Sequence, residues 1–398
     1  MYGPIRFLSA GESHGPKLTV IIEGFPAGLK LNAKQLHLEQ LKRQKGFGRS
    51  ARMKMESDQL CLSAGISQGH TTGAPIAIEI NNADHKNWLN QDIPAMTAPR
   101  PGHADLTGAL KYGHNDLRLS LERSSARETA MRVAVGSLCK QLLACFGISI
   151  GGYVISIGTI SSEPSLSILA EEYERRIVHA QNNEFSFIDS NKCESVHQEI
   201  FNCMRKKDTL GGVIEVVALH VPVGLGSYAH FDRRLEARLG HALLSIPAIK
   251  GVSLGNAFDD AHKFGTEVHD DIFLDKDGSL SRKSNSAAGF EGGISTGLPI
   301  VARAAMKPIS TTLTPKNSVN LVEKIPCLAD YERSDFCAVT RAVVVCESML
   351  ALVIANALVE KIGGDSISEM QPRFAQLAKS HLDSIKIDGK TRQYNYDL

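Results

Sequence analysis

Residues 122–136 read ERSSARETAMRVAVG, and the apolar period that begins here decides what kind of fold the chain encodes. Met131, Val135, Leu138 and Leu142 recur at helical spacing, so they share one face of a helix that Gly147 is placed to end. The polar head of the stretch allows two readings. Ser125 and Glu128 have the spacing of a capping box, in which hydroxyl and carboxylate satisfy the free amides of the first turn. That leaves Arg123, Ser124 and Arg127 unassigned. A helix N-terminus is electropositive, and arginines beside it repel one another unless they share a phosphate or carboxylate. The second reading is therefore an anion site.

Outward from this helix the apolar period switches between helical and strand spacing. Leu18, Val20 and Ile22 alternate with their neighbours, as do Ile76, Ile78 and Ile80, and both sets read as strands. Further strands are expected at 150–157, in VIEVVALHV (213–221) and in LPIVARAAM (298–306). Helices are expected over 33–44, after a cap at Asp232 with Leu235, Leu239, Ala242 and Leu243 inward, and through Val339, Val343, Cys346, Leu350 and Val353. The last reads as a long amphipathic helix ending near Gly363. Residues 161–207 are charged and helical in places, with no legible chemistry. Without a regular βαβ rhythm, the class is α+β, a layered sandwich of helices and antiparallel-rich sheets. No repeat or linker divides the chain, which reads as one domain over 1–365 with a polar, at most partly ordered tail over 366–398.

A chain of 398 residues that is 43% hydrophobic can bury a core without disulfides. Its net charge of +1 argues against a general nucleic-acid or membrane-surface binder, so any basic site must be a local cluster. None of the eight cysteines forms a CxxC pair, and no metal site is expected; Cys139, Cys145, Cys337 and Cys346 read as buried thiols. The N-terminus has no long apolar targeting segment, and no uninterrupted apolar run reaches the roughly 18 residues of a membrane span. A cytoplasmic protein is expected.

Several polar clusters remain. KRQKGFGRSAR (42–52) carries Arg43 and Arg49 among its cations, and reads either as a solvated basic face or as a loop whose glycines let the backbone approach a ligand. Lys307-Pro308-Ile309-Ser310-Thr311 follows a strand and reads as an ordinary polar turn or as an anion contact. His14 in GESHG and His103 in RPGHAD sit in tight loops, as hydrogen-bonded loop residues or as proton carriers. Arg333-Ser334-Asp335 precedes the last long helix, as a cap with an ion pair or as part of a site. Together the clusters hold many more arginines than catalytic acids, which fits a small polyanionic substrate.

GESHGPKLTVIIEGFPAG, RPGHADLTGALKYGH, ERSSARETAMRVAVG and ERSDFCAVTRAVVVCESMLA resemble the signature segments of the chorismate synthase family. KRQKGFGR, SIPAIKG, NSAAGFEGG and EGGISTGLPIVARAAMKPI match further segments, in family order, over about residues 5–362. The resemblance implies a β-α-β sandwich, a homotetramer, and a lyase of the shikimate pathway of aromatic amino acid biosynthesis. The implied reaction is an anti-1,4-elimination of phosphate from 5-enolpyruvylshikimate 3-phosphate to give chorismate. Reduced FMN is the implied cofactor and NADPH a candidate reductant.

Carried over by motif, the resemblance makes His14, His103 and Asp335 catalytic. It assigns FMN to Arg123, Ser124, Ser125, Pro247, Ala248, Gly292, Lys307, Pro308, Ile309, Ser310, Thr311 and Arg333. Arg43 and Arg49 match positions associated with NADPH and would equally serve the substrate phosphate; Arg127 is grouped with them. Three places depart from the family pattern: Pro247 replaces a polar residue found in some members, Ala288 stands where glycine is common, and Thr340-Arg341 differs from the proline-alanine pair often seen there.

Overall fold

The computed structural model describes residues 3–47, 58–332, 334–394 and 396, which form two antiparallel sheets with helices between them. Strands β1 (Arg6–Ala10), β2 (Lys17–Glu23), β3 (Leu60–Ala64) and β4 (Ile76–Asn81) make the first sheet, in the order β1-β2-β4-β3. Strands β5 (Ser149–Ile157), β6 (Gly212–Leu219), β7 (Ile249–Leu254) and β8 (Ile300–Met306) make the second, in the order β7-β8-β6-β5, with the short strand Ile160–Ser161 at the β5 edge. The helices are α1 (Ala33–Gln44), α2 (Asp105–Tyr112), α3 (Arg118–Ser124), α4 (Thr129–Ala144), α5 (Ala170–Gln181), α6 (Cys193–Arg205), α7 (Leu235–Leu244), α8 (Val339–Ile362) and α9 (Ile367–Ala375).

The layering follows from which faces are apolar. In β2 and β4 the alternate residues Leu18, Val20, Ile22, Ile76, Ile78 and Ile80 are buried against the helices, and the opposite face looks outward. Strand β6 is buried on both faces: Ile214, Val216 and Ala218 join the main core, while Val217 and Leu219 pack with Tyr173 of α5. That accounts for part of the charged region 161–207, which covers the outer face of the second sheet. On that face Glu215 accepts from Arg303 Nε at 2.8 Å and from the Tyr153 hydroxyl at 2.5 Å, so the buried charge is paired.

Helix α8 lies at the centre. Its apolar residues were expected on one face, but Ala342 to Val359 are buried without interruption because α4, α1, α7 and the second sheet all pack on it. It is long and apolar enough to cross a membrane, yet this stretch is entirely enclosed by protein. Asn356 ties its far half to the N-terminal segment, accepting from Ile5 N at 2.7 Å and donating to Ile5 O at 3.1 Å. Lys140 of α4 donates to Glu39 of α1 and Glu347 of α8, at 2.5 Å each, so one buried cation joins three helices. Burial opposes the Lys140 charge, but Glu347 and Glu39 outweigh it and hold the ammonium above its ordinary value.

Three local expectations change. The capping box does not form: α3 ends at Ser124, Ser125 is extended, and a 3₁₀ turn Ala126–Glu128 leads into α4. Ser125 Oγ accepts from Arg127 N at 3.3 Å, whereas Glu128 turns to Arg132 Nε at 2.9 Å. Arg123 and Ser124 therefore close one helix and do not open the next. Asp232 does not cap α7, since its carboxylate bonds His230 at 2.8 Å and the helix starts at Leu235. Cys145 is exposed just beyond the end of α4, while Cys139, Cys337 and Cys346 are buried. Beyond Gly363, Ile367 and Met370 of α9 are buried in the core, and Ile367 N bonds Ala27 O at 2.9 Å.

Helices α4 and α8 approach so closely at Gly136 that a Cβ there would fall inside the contact envelope of Ser348 Cβ and Cα. Gly136→Ala is expected to lose about 2–3 kcal/mol of stability through overpacking, read from urea unfolding. A change below about 0.5 kcal/mol would mean that the two helices have room to part.

Candidate active site

A cavity of about 380 Å³ opens where the starts of α4 and α8 meet the end of α1. Five cations line it (Arg43, Arg100, Arg127, Lys307 and Arg341), against two carboxylates, Glu332 and Asp335, among the described residues. His14 and His103 share the wall with Ser13, Ser124, Ser125, Ser310 and Thr311, and Ile246, Pro247, Ala248, Met306 and Ile309 supply an apolar side. Pockets for small ligands combine these features, with volumes of roughly 300–1,000 Å³.

The arginines are aimed by acids standing behind them. Asp58 is buried and its Oδ2 accepts from Arg127 Nη1 at 2.7 Å and from Arg43 Nη2. Burial works against its charge, but the Arg43 charge and the Arg127 hydrogen bond prevail and hold Asp58 at about 2. Arg127 also reaches Asn82 Oδ1 at 2.8 Å, and Asn82 Nδ2 donates to Gly15 O at 2.7 Å, so the GESHG loop and the arginine are fixed together.

The RPGHAD motif forms a second unit. Asp105, the first residue of α2, is fully buried; its Oδ2 accepts from Arg100 N and Nε and its Oδ1 from Arg100 Nη2, at 3.1, 2.8 and 3.0 Å. Arg100 Nη1 reaches Thr311 Oγ1 at 3.1 Å, and His103 Nδ1 lies 2.6 Å from Asp105 Oδ1. Burial opposes ionisation of Asp105, but the His103 and Arg100 hydrogen bonds hold its carboxyl well below the usual range. Lys307 Nζ donates to Gly102 O at 2.6 Å and Lys307 N to Ala248 O at 3.0 Å, joining three of the motifs at one wall. Asp335 pairs with Arg341 in the first turn of α8. His14 bonds Glu122 through Nδ1 at 2.5 Å and through its backbone N–H at 2.7 Å. Ser13 Oγ lies 3.2 Å from Ser125 Oγ.

The structure thus gathers His14, His103, Asp335, Ser124, Ser125, Pro247, Ala248, Lys307, Ile309, Ser310, Thr311, Arg43 and Arg127 around one cavity. It does not bring Arg123, Pro308 or Gly292 into that lining. Arg123 is exposed and donates to Ser9 O at 2.9 Å and Gly11 O at 3.3 Å. Gly292 sits with φ +59° at the exposed tip of the hairpin Phe290–Ser295. Arg49 and Arg333 lie outside the described residues. Of the departures from the family pattern, Ala288 has φ +52°, the left-handed region in which glycine costs least, and Pro247 directly precedes Ala248, which has φ +69° at the cavity wall. Sequence reasoning missed Arg100 and Asp105, although both flank His103 in its motif. It also missed Asp58, Asn82, Glu122 and Arg341, whose partnerships no local pattern announces.

The Asp58 pairing carries a pH signature. With the folded carboxyl at about 2 against 3.8 in the open chain, its contribution is complete above about pH 4 and is lost as pH falls through 2. The stability gap between the unmodified protein and Asp58→Asn is expected to narrow by about 2 kcal/mol between pH 6 and pH 2 in urea titrations. A gap independent of pH would contradict the pairing.

Comparison with known proteins gives one answer. A family model described as chorismate synthase matches residues 5–359. A chorismate synthase of Sulfurihydrogenibium sp. (strain YO3AOP1) is 46% identical over 391 residues, covering 95% of this chain and 100% of the relative. One from Geobacter sulfurreducens is 46% identical over 386 residues, covering 93% and 97%. Chorismate synthase 2 of Bacillus thuringiensis (strain Al Hakam) is 43% identical over 385 residues, covering 94% and 98%. A solved structure titled "Crystal Structure of Chorismate Synthase" aligns with a TM-score of 0.77 at 40% identity, over 93% of this chain and 96% of that one. The chain belongs to the chorismate synthase family of carbon–oxygen (phosphate) lyases.

Proposed function

We propose that this protein eliminates phosphate from 5-enolpyruvylshikimate 3-phosphate in the anti-1,4 sense to give chorismate, with reduced FMN held in the same cavity. The observation that carries the reading is the convergence of two carboxylate-bonded histidines, five cations and one ion-paired aspartate on one pocket. In the reaction the carbon–oxygen bond to phosphate breaks and the proton on the far ring carbon leaves. Its bonding pair completes the new diene, and nothing is oxidised overall.

The donor set fits both ligands. The substrate has two carboxylates and a phosphate, and Arg43, Arg100, Arg127 and Arg341 are preorganised cations able to bind planar anions with two hydrogen bonds. The apolar wall from Ile246 to Ala248 suits a flat ring, beside the hydroxyls of Ser124, Ser125, Ser310 and Thr311 and the Lys307 ammonium. These residues, with Ile309, would hold the flavin. Reduced FMN, when bound, supplies electron density to the allylic centre as the carbon–oxygen bond breaks. His103 and His14 keep protons at the flavin and the departing phosphate, each with Nδ1 engaged by a carboxylate. Asp335, oriented by Arg341, assists removal of the ring proton.

The same reading carries a cytoplasmic homotetramer without nucleic-acid or membrane partners. Only its assembly part has structural support: Leu8 and Ile21, cross-strand partners on the outer face of the first sheet, remain 76% and 49% exposed in the single chain, where another copy could cover them.

An anaerobic assay with photoreduced FMN and the enolpyruvyl substrate tests the activity. Chorismate and phosphate are expected in equal amounts, and release of neither would refute the reading. Repeating it aerobically with NADPH reads flavin reduction by the protein itself. His103→Ala is expected to lower turnover at least ~100-fold while substrate still binds; near-normal turnover would remove His103 from the mechanism.

A further inference from the structure

His103 finds its carboxylate two residues away, but the partner of His14 comes from the end of α3, 108 residues further along the chain. Glu122 gives both carboxylate oxygens to this one residue: Oε1 to Nδ1 at 2.5 Å and Oε2 to the backbone N–H at 2.7 Å. Its backbone carbonyl accepts from Ser13 N at 3.0 Å. The His14 and Glu122 side chains are both largely buried. The imidazole also packs on Trp88, with ring centroids 3.9 Å apart, and the Arg118 guanidinium lies 5.4 Å from the indole centroid. His85 Nδ1 contacts His14 O at 3.0 Å, so the loop is fixed from a third direction.

Chemistry restricts what this arrangement permits. Burial opposes the Glu122 charge, but the two His14 hydrogen bonds and the charges of His14 and Arg118 keep its carboxyl below the ordinary value. An ionised carboxylate has no proton to give, so both of its oxygens accept and Nδ1 must carry the hydrogen. Proton exchange by this ring then falls to Nε2.

The geometry points to Glu122 as a positioning residue that fixes the orientation and Nδ1-protonated form of His14, so that the ring serves the reaction through Nε2, with Trp88 holding its face. The inference rests on the role proposed for His14, and Glu122 touches neither substrate nor cofactor in it. Second partners of this kind set which nitrogen of a working histidine is free to act.

Glu122→Gln keeps the size but replaces one of two required acceptors with a donor, so either the backbone N–H or Nδ1–H meets an NH₂ group. The expected result is a kcat at least ~10-fold lower with the substrate KM within about threefold, by analogy with loss of the orienting carboxylate in hydrolase triads. In a His14→Ala background the same substitution is expected to change kcat less than about twofold, because its effect runs through the missing ring. An equal loss with and without His14 would make Glu122 merely structural and overturn the inference. So would a kcat for Glu122→Gln within about twofold of the unmodified protein. Trp88 is the only tryptophan in the chain, so its emission reports the ring contact apart from turnover. Emission altered by Glu122→Gln supports the clamp, and unchanged emission contradicts it. If the unmodified protein makes no chorismate, the proposed function fails, while the emission comparison still decides the clamp.

Discussion

The contact between α4 and α8 at Gly136 and Ser348 is the constraint on which the rest of the molecule depends. Only a residue without a side chain lets the two backbones approach this closely, and the closeness makes a single layer of the helices between the sheets. Helix α8 can then be apolar all round, since every face meets protein. Lys140, held by Glu39 and Glu347, fixes α1 to the same pair. A buried ion pair adds little net stability, but removing one partner strands a charge, so such a contact makes the helix arrangement unforgiving. The starts of α4 and α8 and the end of α1 are thereby brought to one place, where Arg127, Arg341 and Arg43 border the cavity.

A site for a multiply charged anion must keep cations together before the ligand arrives. Here the repulsion is offset by acids, two of them behind the lining and one within it: Asp58 for Arg43 and Arg127, Asp105 for Arg100, and the lining Asp335 for Arg341. The arginine surplus apparent in the sequence is therefore much reduced once the fold brings these acids in. The pairing also removes freedom from the guanidinium groups, so less order has to be imposed when substrate binds. The histidines follow the same rule, each with one ring nitrogen committed to a carboxylate.

Strands β2, β4, β5, β6 and β8 and helices α1, α4, α7 and α8 were legible, β2, β4 and α4 from simple apolar periods, whereas β1, β3, β7, α2, α3 and α9 were not read. Reading failed where a tertiary partner replaced a local one. Ser125 and Glu128 have capping-box spacing, yet α3 runs into the junction and Arg132 claims the glutamate. Helix α8 reads as one-sided only because its surroundings are not in its sequence. In the site, the motifs around His14, His103, Ser125, Lys307 and Asp335 do converge. Asp58 and Glu122 were invisible, since a lone acid carries no sign of a partner 69 or 108 residues away.

The central claim is that one cavity holds both the flavin and the triply anionic substrate. A crystal structure of the protein with FMN and 5-enolpyruvylshikimate 3-phosphate tests it most directly. The account predicts the flavin ring against Pro247 and Ala248, and the substrate anions within ion-pair distance of Arg100, Arg127 and Arg341. Either ligand bound elsewhere, or these arginines making no contact with it, would contradict the account.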